Sequence, residues 1–181
     1  RDLLRVSQSR FWAVGMGLLT LAPQSIAFVR NILLGFLPSA VLGLALKDYI
    51  DIMLGSPMVV AWALVIGGIA ILAIEKVAVP GPKSGVAQLP ARQALGVGLV
   101  QCVSMIPGVS RSGATIMGAL AMGIERRTAA EFSFFLAVPT MMGAITLELW
   151  DSRAQLLAGA GPVGWSEIAI GFAVSFVVAL V

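Results

Sequence analysis

Residues 94–123 read ALGVGLVQCVSMIPGVSRSGATIMGALAMG, an apolar stretch interrupted in its middle by PGVSRSGAT. The interruption, Pro107–Thr115, is called the polar break. It places a Pro-Gly pair, hydroxyl side chains and an arginine where a membrane span would be apolar. Polar groups at that depth are costly and usually mark a functional site. The polar break is therefore the most informative part of the sequence for both fold and function.

The composition is that of an integral membrane protein. Of the 181 residues, 59% are hydrophobic and 12% are charged, whereas a soluble domain carries about 25% charged residues. The sequence contains no histidine and a single cysteine, Cys102. It therefore offers no imidazole base or ligand, no intrachain disulfide and no cysteine-rich metal site.

Four apolar segments are predicted to cross the membrane, and they lie at residues 32–46, 58–74, 132–147 and 163–181. Residues 11–22 are also apolar, but about a dozen residues are too few for a crossing. We therefore predict that residues 1–31 form a cytoplasmic or interfacial segment. Together with residues 94–123, these segments make one membrane domain, residues 1–181.

The charges indicate which loops share a side of the membrane, because Lys and Arg prefer cytoplasmic loops. Under this layout the basic residues of three stretches fall on the cytoplasmic side: Arg1, Arg5, Arg10 and Arg30; Lys76, Lys83 and Arg92; and Arg126 and Arg127. The loops at 47–57 and 148–162 are richer in acids and face outward.

Residues 94–123 must then enter the membrane and return to the same side, because a single crossing would place Arg126 and Arg127 outside. Their length of about 30 residues also exceeds the ~20 that one span needs. The sequence thus predicts an all-α polytopic membrane protein with a re-entrant helix-loop-helix at 94–123. Non-helical backbone at depth should line a cavity or be buried in protein.

The residue types of the polar break suit a phosphate. Arg111 offers a planar fork of donors for bidentate binding, and the helix predicted from Ala114 onward presents backbone N–H groups to an anion. One of the nearby hydroxyls could attack phosphorus. We predict Arg111, Ser110 and Ser112 as catalytic residues, and we predict further substrate contacts by glycines and a hydroxyl, namely Gly108, Gly113 and Thr115.

Two residues outside the break have alternative interpretations. Gln101 could hydrogen-bond the phosphate pocket or a neighbouring helix. Glu131 could pair with Arg111 and shape the pocket, or it could cap a helix that begins near Thr128. We include both as candidate substrate-binding residues, and no residue is assigned to a metal.

The polar break and its surroundings resemble a known family. PGVSRSGAT at 107–115 is similar to the P-G-x-S-R-S-G-A-T signature of bacterial undecaprenyl-diphosphate phosphatases, the bacitracin-resistance (BacA-like) family. Gln101, the stretch EFSFFLAVP at 131–139 and the stretch LGFLPSAVLG at 34–43 also resemble family segments. The resemblance covers nearly everything from Asn31 onward.

The resemblance implies hydrolysis of undecaprenyl diphosphate to undecaprenyl phosphate and phosphate, which recycles the lipid carrier of cell-wall synthesis and confers bacitracin resistance. It implies a multi-pass protein of the bacterial inner membrane, built from inverted repeats. It also implies a divalent cation, Mg²⁺ or Ca²⁺, and makes Arg111 the phosphate-binding arginine. The expected partners are a polyprenyl diphosphate and the bilayer, with no nucleic acid; a homodimer is left open.

One family segment does not occur in the sequence. The E-x-x-x-E motif followed by P-x-S-S-T-G-H would precede Arg1 and would supply the base and metal ligands. We therefore expect the chain to be part of a longer protein, and the nucleophile is left open.

Transport is the alternative function, because a re-entrant hairpin whose helix N-terminus faces an anion is also how transporters hold substrates. A flippase for a lipid phosphate, or an anion carrier, would use the same residues without releasing phosphate. A structural membrane subunit would leave Arg111 and the hydroxyls unexplained.

Overall fold

The computed structural model describes residues 23–79, 81–82, 84–158 and 164–180, so the apolar segment 11–22 lies outside the described residues. This part of the chain is α-helical and contains no strand. Its helices are α1 Pro23–Ala45, α2 Lys47–Leu54, α3 Pro57–Val77, α4 Ala91–Gln101, α5 Arg111–Ala121, α6 Arg126–Ala158 and α7 Trp165–Leu180. Short 3-10 turns occur at Val86–Gln88 and Cys102–Met105.

Three helices are long and apolar enough to cross a bilayer: Gln24–Ala45 of α1, Pro57–Val77 of α3 and Arg126–Ala154 of α6. Trp165–Leu180 is a shorter apolar helix. Large apolar side chains such as Leu33, Ile66 and Ile69 are exposed on the outer surfaces of these helices. Soluble proteins rarely expose so many large apolar side chains side by side. The prediction of an all-α membrane protein is confirmed.

The bounds of several helices differ from the predicted ones. Helix α1 begins at Pro23, so residues 23–31 are helical and continuous with the predicted span at 32–46, and their place relative to a membrane stays a prediction. A proline fits the first turn of a helix, where its missing N–H is not needed. The second difference is α2, which makes most of the predicted 47–57 loop helical.

The longest helix, α6, extends well beyond the predicted span at 132–147. It runs for 33 residues from Arg126 to Ala158 and includes Pro139. The described chain divides into two compact units, and the division falls between Thr140 and Met141, inside α6.

The first unit has a core formed where α1, α4, α5 and the first half of α6 pack together. Val97 of α4, Ala119 of α5, and Phe132 and Leu136 of α6 are fully buried there. Phe28 of α1 adds an edge-to-face contact with Phe135, the ring centroids being 4.9 Å apart. Such aromatic pairs add stabilisation beyond their buried area.

The second unit contains the second half of α6 and helix α7. On α6, the guanidinium of Arg153 stacks 4.2 Å above the Trp150 ring centroid. On α7, Phe172 and Phe176 stack at 6.4 Å on an otherwise apolar, exposed helix. None of the predicted site residues lies in this unit.

Several contacts place the start of α1 beside the segment between α3 and α4. The side-chain amide of Asn31 is fully buried and donates to the carbonyls of Val86 and Leu89, each at 2.9 Å. The Thr128 hydroxyl, near the start of α6, donates to the carbonyl of Ser84. Because these groups come from distant parts of the sequence, they fix one end of the first unit, which we call the basic end.

The hairpin formed by α4 and α5 begins and ends at the basic end. Arg126 at the start of α6 forms a 2.8 Å ion pair with Glu75 at the end of α3. At the hairpin's own base, Gln93 donates to the carbonyl of Met122 at 3.3 Å. The chain therefore leaves α3, passes through α4 and α5, and enters α6 at the same end of the unit.

Neither arm of the hairpin is long enough to cross a membrane. Helix α4 and the 3-10 turn after it together rise ~24 Å, and α5 rises ~16 Å, against a hydrocarbon core of ~30 Å. The arms pack closely, since a Cβ on Gly118 would lie 2.7 Å from Val100 Cγ1. A helix-loop-helix that returns to its starting end is thus present, and its depth in a bilayer stays a prediction.

Candidate active site

The turn between the two arms depends on Gly108. Its φ is +100°, a backbone conformation that L-residues with a side chain rarely adopt. A Cβ at this position would also lie 2.6 Å from the carbonyl oxygen of Val60 and 3.1 Å from Ala63 Cβ. Gly108 therefore permits the turn and allows the hairpin to pack against the first turns of α3.

Ser110 begins helix α5 as its N-cap. Its Oγ accepts a hydrogen bond from the backbone N–H of Gly113 at 3.1 Å, and its carbonyl accepts from Ala114 at 2.8 Å. A helix leaves its first backbone N–H groups without intrahelical partners. The N–H groups of Arg111 and Ser112 remain as donors in the first turn of α5, which suits an anion.

Arg111 is the charged group of the site, and it has an unsatisfied donor. Its side chain is partly buried, and Nη1 is fully enclosed without a hydrogen-bond partner among the described residues. An unpaired buried donor costs about 1–3 kcal/mol, and more when it is charged. A phosphate oxygen at this nitrogen would remove that cost.

Two hydroxyls of the break are open to approach. Ser110 and Ser112 are both exposed, and their Oγ atoms are 3.3 Å apart. The structure thus brings together the three predicted catalytic residues around the first turn of α5. Gly113 lies between them and the neighbouring helix, with Ile71 Cδ1 of α3 at 3.3 Å from the position of its missing Cβ.

Thr115 is placed differently from the prediction. It is fully buried, and its Oγ1 lies 2.6 Å from Ser133 Oγ of α6. The same oxygen lies 3.0 Å from the carbonyl of Arg111 and 3.1 Å from that of Ser112. Its single hydrogen serves these partners, so the hydroxyl faces the protein interior and does not face an approaching substrate.

Gln101 is also turned into the protein. It is 1% exposed, and its Nε2 donates to Ser39 Oγ of α1 at 2.8 Å and approaches Thr140 Oγ1 of α6 at 3.4 Å. Both hydroxyls donate their own hydrogens to backbone carbonyls of Phe36 and Leu136, so the amide must donate to them. Of the two interpretations, the interhelical hydrogen bond is what the structure contains.

Glu131 does not cap α6. The helix begins at Arg126, which places Glu131 beyond its first turn, where the helix dipole no longer favours a negative charge. The side chain forms an i,i+4 ion pair with Arg127, with Nε and Oε1 3.4 Å apart. The carboxylate at the helix start is instead Glu125, whose Oε2 lies 3.0 Å from Thr128 Oγ1.

Three residues that contact predicted site residues were not themselves predicted: Ser39, Ser133 and Thr140. Each carries a hydroxyl within an apolar helix; Ser39 and Thr140 contact Gln101, and Ser133 contacts Thr115. Polar residues inside spans usually face the bundle interior and pair there, so their position within the spans was the available signal. The identity of the partner was not available, because it lies on another helix.

The tip residues do not fit the divalent cation that the resemblance implies. Among the residues described by the structure, no group of three or more His, Cys, Asp or Glu side chains could hold a metal ion. The polar break offers N–H donors, hydroxyls and the positive charge of Arg111, which favour anions and repel a cation. No step is assigned to a metal.

Fold and tip together define a class: an all-α membrane protein with a helix-loop-helix whose turn carries a candidate anion site. The family described as bacitracin resistance protein BacA matches residues 2–181. Because this match covers almost the whole sequence, the chain belongs to the BacA family.

Curated relatives agree with the family assignment. The chain is 74% identical over 170 residues to the protein named undecaprenyl-diphosphatase of Novosphingobium aromaticivorans, covering 94% of this chain and 63% of the relative. The protein of the same name from Sphingopyxis alaskensis is 56% identical, with 96% and 64% covered. Undecaprenyl-diphosphatase 2 of Paramagnetospirillum magneticum is 48% identical, with 97% and 65% covered.

The chain therefore spans somewhat less than two thirds of the length of these relatives. The described residues contain the PGVSRSGAT turn, its helix and the α6 residues that contact it, which form the candidate site.

Proposed function

We propose that this chain is part of a phosphatase that hydrolyses undecaprenyl diphosphate to undecaprenyl phosphate and phosphate, in the bacterial inner membrane. The observation that carries the proposal is the first turn of α5. There, adjacent residues supply first-turn backbone N–H groups, two exposed hydroxyls and the Arg111 guanidinium, whose Nη1 has no hydrogen-bond partner among the described residues. The substrate is the one named for the BacA relatives, undecaprenyl diphosphate.

In the proposed reaction, the terminal phosphoryl group of the diphosphate lies at the N-terminus of α5. A hydroxyl or a water attacks the terminal phosphorus, and the bond from that phosphorus to the bridging oxygen breaks. The bridging oxygen leaves with the lipid phosphate. If a hydroxyl attacks first, water then releases phosphate from it.

Arg111 would stabilise the charge on the transferred group, because preformed donors aimed at developing charge lower the barrier. The N–H groups of Arg111 and Ser112 would add fixed donors. Thr115 would act as a positioning residue, since its buried bond to Ser133 ties the first turn of α5 to α6. Gln101 would likewise hold the α4 arm against α1 and α6.

The test is phosphate release by the purified full-length protein from undecaprenyl diphosphate in detergent micelles. Arg111→Ala should lower kcat/KM by about a thousandfold or more, as removal of a phosphoryl-stabilising arginine does elsewhere. Arg111→Lys keeps the charge but loses the planar fork. Its activity should therefore lie between that of the unmodified protein and that of Arg111→Ala. Arg92→Ala is the matched control, because Arg92 is exposed at the base of the hairpin.

Near-normal turnover by Arg111→Ala would refute the assignment of this arginine. Absence of phosphate release by the unmodified protein, together with movement of labelled lipid phosphate across vesicles, would favour transport instead.

A further inference from the structure

An apolar groove runs along α3 beside the hairpin, with a volume of about 750 Å³. One wall is the exposed face of α3, and the other is formed by the end of α4, the polar break and α5. This volume lies within the range of about 300–1,000 Å³ that is typical of small-molecule sites.

The groove continues into the candidate phosphate site. Ser110 and Gly113 line it, and these residues also belong to the first turn of α5, where the N–H donors lie. Among the described residues that line the groove, Ser110 is the only one with a hydroxyl, and none carries a charge. A ligand bound along both regions would need a polar, anionic end and an apolar remainder.

Two adjacent glycines keep the groove open on the α3 side. Gly67 and Gly68 both line it, and a Cβ built on either one meets no atom within 4 Å. Within the described part of the chain, their absent side chains therefore leave free space and serve no close helix contact. This distinguishes them from Gly118 on the opposite wall, whose missing Cβ would clash with Val100.

From these observations we propose that the groove binds the prenyl chain of the lipid diphosphate, and that Gly67 and Gly68 determine whether a long chain is accepted. This proposal rests on the proposed function, because that function identifies the polar end of the ligand as a diphosphate. The occupant is a prenyl chain because the groove reaches Ser110 and Gly113, the sequence neighbours of Arg111 and Ser112, so the apolar part of a lipid diphosphate held by those donors can extend along it.

The first test fills the groove with Gly68→Leu in the full-length enzyme. The KM for undecaprenyl diphosphate should rise about tenfold or more, because the buried methylenes of the chain lose their contacts. Competitive inhibition by inorganic diphosphate, which has no chain, should keep its wild-type constant. Gly171→Leu is the matched control: it also enlarges a glycine with open space around it, on α7, outside the groove lining.

The second test does not depend on hydrolysis. A photoreactive polyprenyl diphosphate should label peptides that contain Trp62 or Met117, which line the groove, and excess undecaprenyl phosphate should prevent the labelling. Gly68→Leu should reduce the labelling while the Gly171→Leu control retains it.

An unchanged KM and unchanged labelling in Gly68→Leu would overturn the proposal. An equal rise in the KM and in the diphosphate inhibition constant would also overturn it, since the groove would then be a packing surface for protein. If the unmodified protein is labelled in the groove but releases no phosphate, the proposed hydrolysis fails and the chain-binding groove stands.

Discussion

At the scale of single residues, the hydroxyls of PGVSRSGAT divide into two kinds. Ser110 and Ser112 are exposed at the first turn of α5, whereas Thr115 is buried one turn later against Ser133. The division follows from position along α5: Ser110 and Ser112 lie at its exposed N-terminal end, whereas Thr115 lies further into the helix, where α6 packs against it. Sequence spacing alone groups the three hydroxyls together.

The buried hydrogen bond between Thr115 and Ser133 can be tested by substitution. Thr115→Val leaves Ser133 without its partner and should destabilise the protein by about 1–3 kcal/mol. The double variant with Ser133→Ala should lose less than the sum of the single variants, because each single change already breaks the bond. Thermal unfolding in detergent measures the stability of all three.

The rate of phosphate release distinguishes two roles for Thr115, holding α5 in position and contacting the substrate. Thr115→Ser keeps the hydroxyl and should retain most of the activity, whereas Thr115→Val should lower kcat in parallel with Ser133→Ala. A Thr115→Val enzyme that is inactive while Ser133→Ala is fully active would show that Thr115 contacts the substrate directly.

At the scale of the elements, the hairpin is defined by close approaches of backbone. Helix α4 crosses α1 so closely that a Cβ on Gly98 would lie 2.3 Å from the carbonyl oxygen of Gly35. The turn then packs Gly108 against Val60 of α3. Such contacts require small residues at the crossing points, as helix packing in membranes commonly does.

Gly108 and Gly123 allow a matched comparison. Both have positive φ, at 100° and 72°, but only Gly108 also faces another helix, since a Cβ on Gly123 meets nothing within 4 Å. Gly123→Ala should cost about 1–2 kcal/mol from the backbone alone. Gly108→Ala should cost clearly more and should also reduce turnover, because the turn must move away from α3.

The midpoint of thermal unfolding and the rate of phosphate release check this comparison. Equal losses of stability in the two variants would contradict the close packing of the turn against α3.

At the scale of the whole molecule, contacts at the basic end bring together the end of α3 and the start of α6. The ion pair between Glu75 and Arg126 is exposed, with 49% and 62% of the side chains accessible. It should contribute less than about 1 kcal/mol to stability. The ion pair does, however, show that the hairpin between these helices returns to the end where it begins.

This topology predicts which positions share a side of the membrane. In a Cys102→Ala background, single cysteines at Lys76 and Arg92 should react with a membrane-impermeant maleimide from the cytoplasmic side. A cysteine at Asp51 of α2 should react from the opposite side, because one crossing separates it from the basic end. Inverted and right-side-out vesicles provide the two exposures.

Labelling of Arg92 and Lys76 from opposite sides would contradict the re-entrant hairpin. Labelling of all three positions from one side would contradict the crossing of α3.

The sequence by itself determined the class of protein, the position of the polar break and the return of the hairpin to the end where it begins. These follow from local properties: apolar length, helix-breaking residues and the sign of flanking charges. The tertiary structure decided which polar groups face the site and which face neighbours. Thr115 and Gln101 turn inward because their partners, Ser133, Ser39 and Thr140, lie on other helices. The groove beside Gly67 and Gly68 likewise exists only where α3 lies against the hairpin.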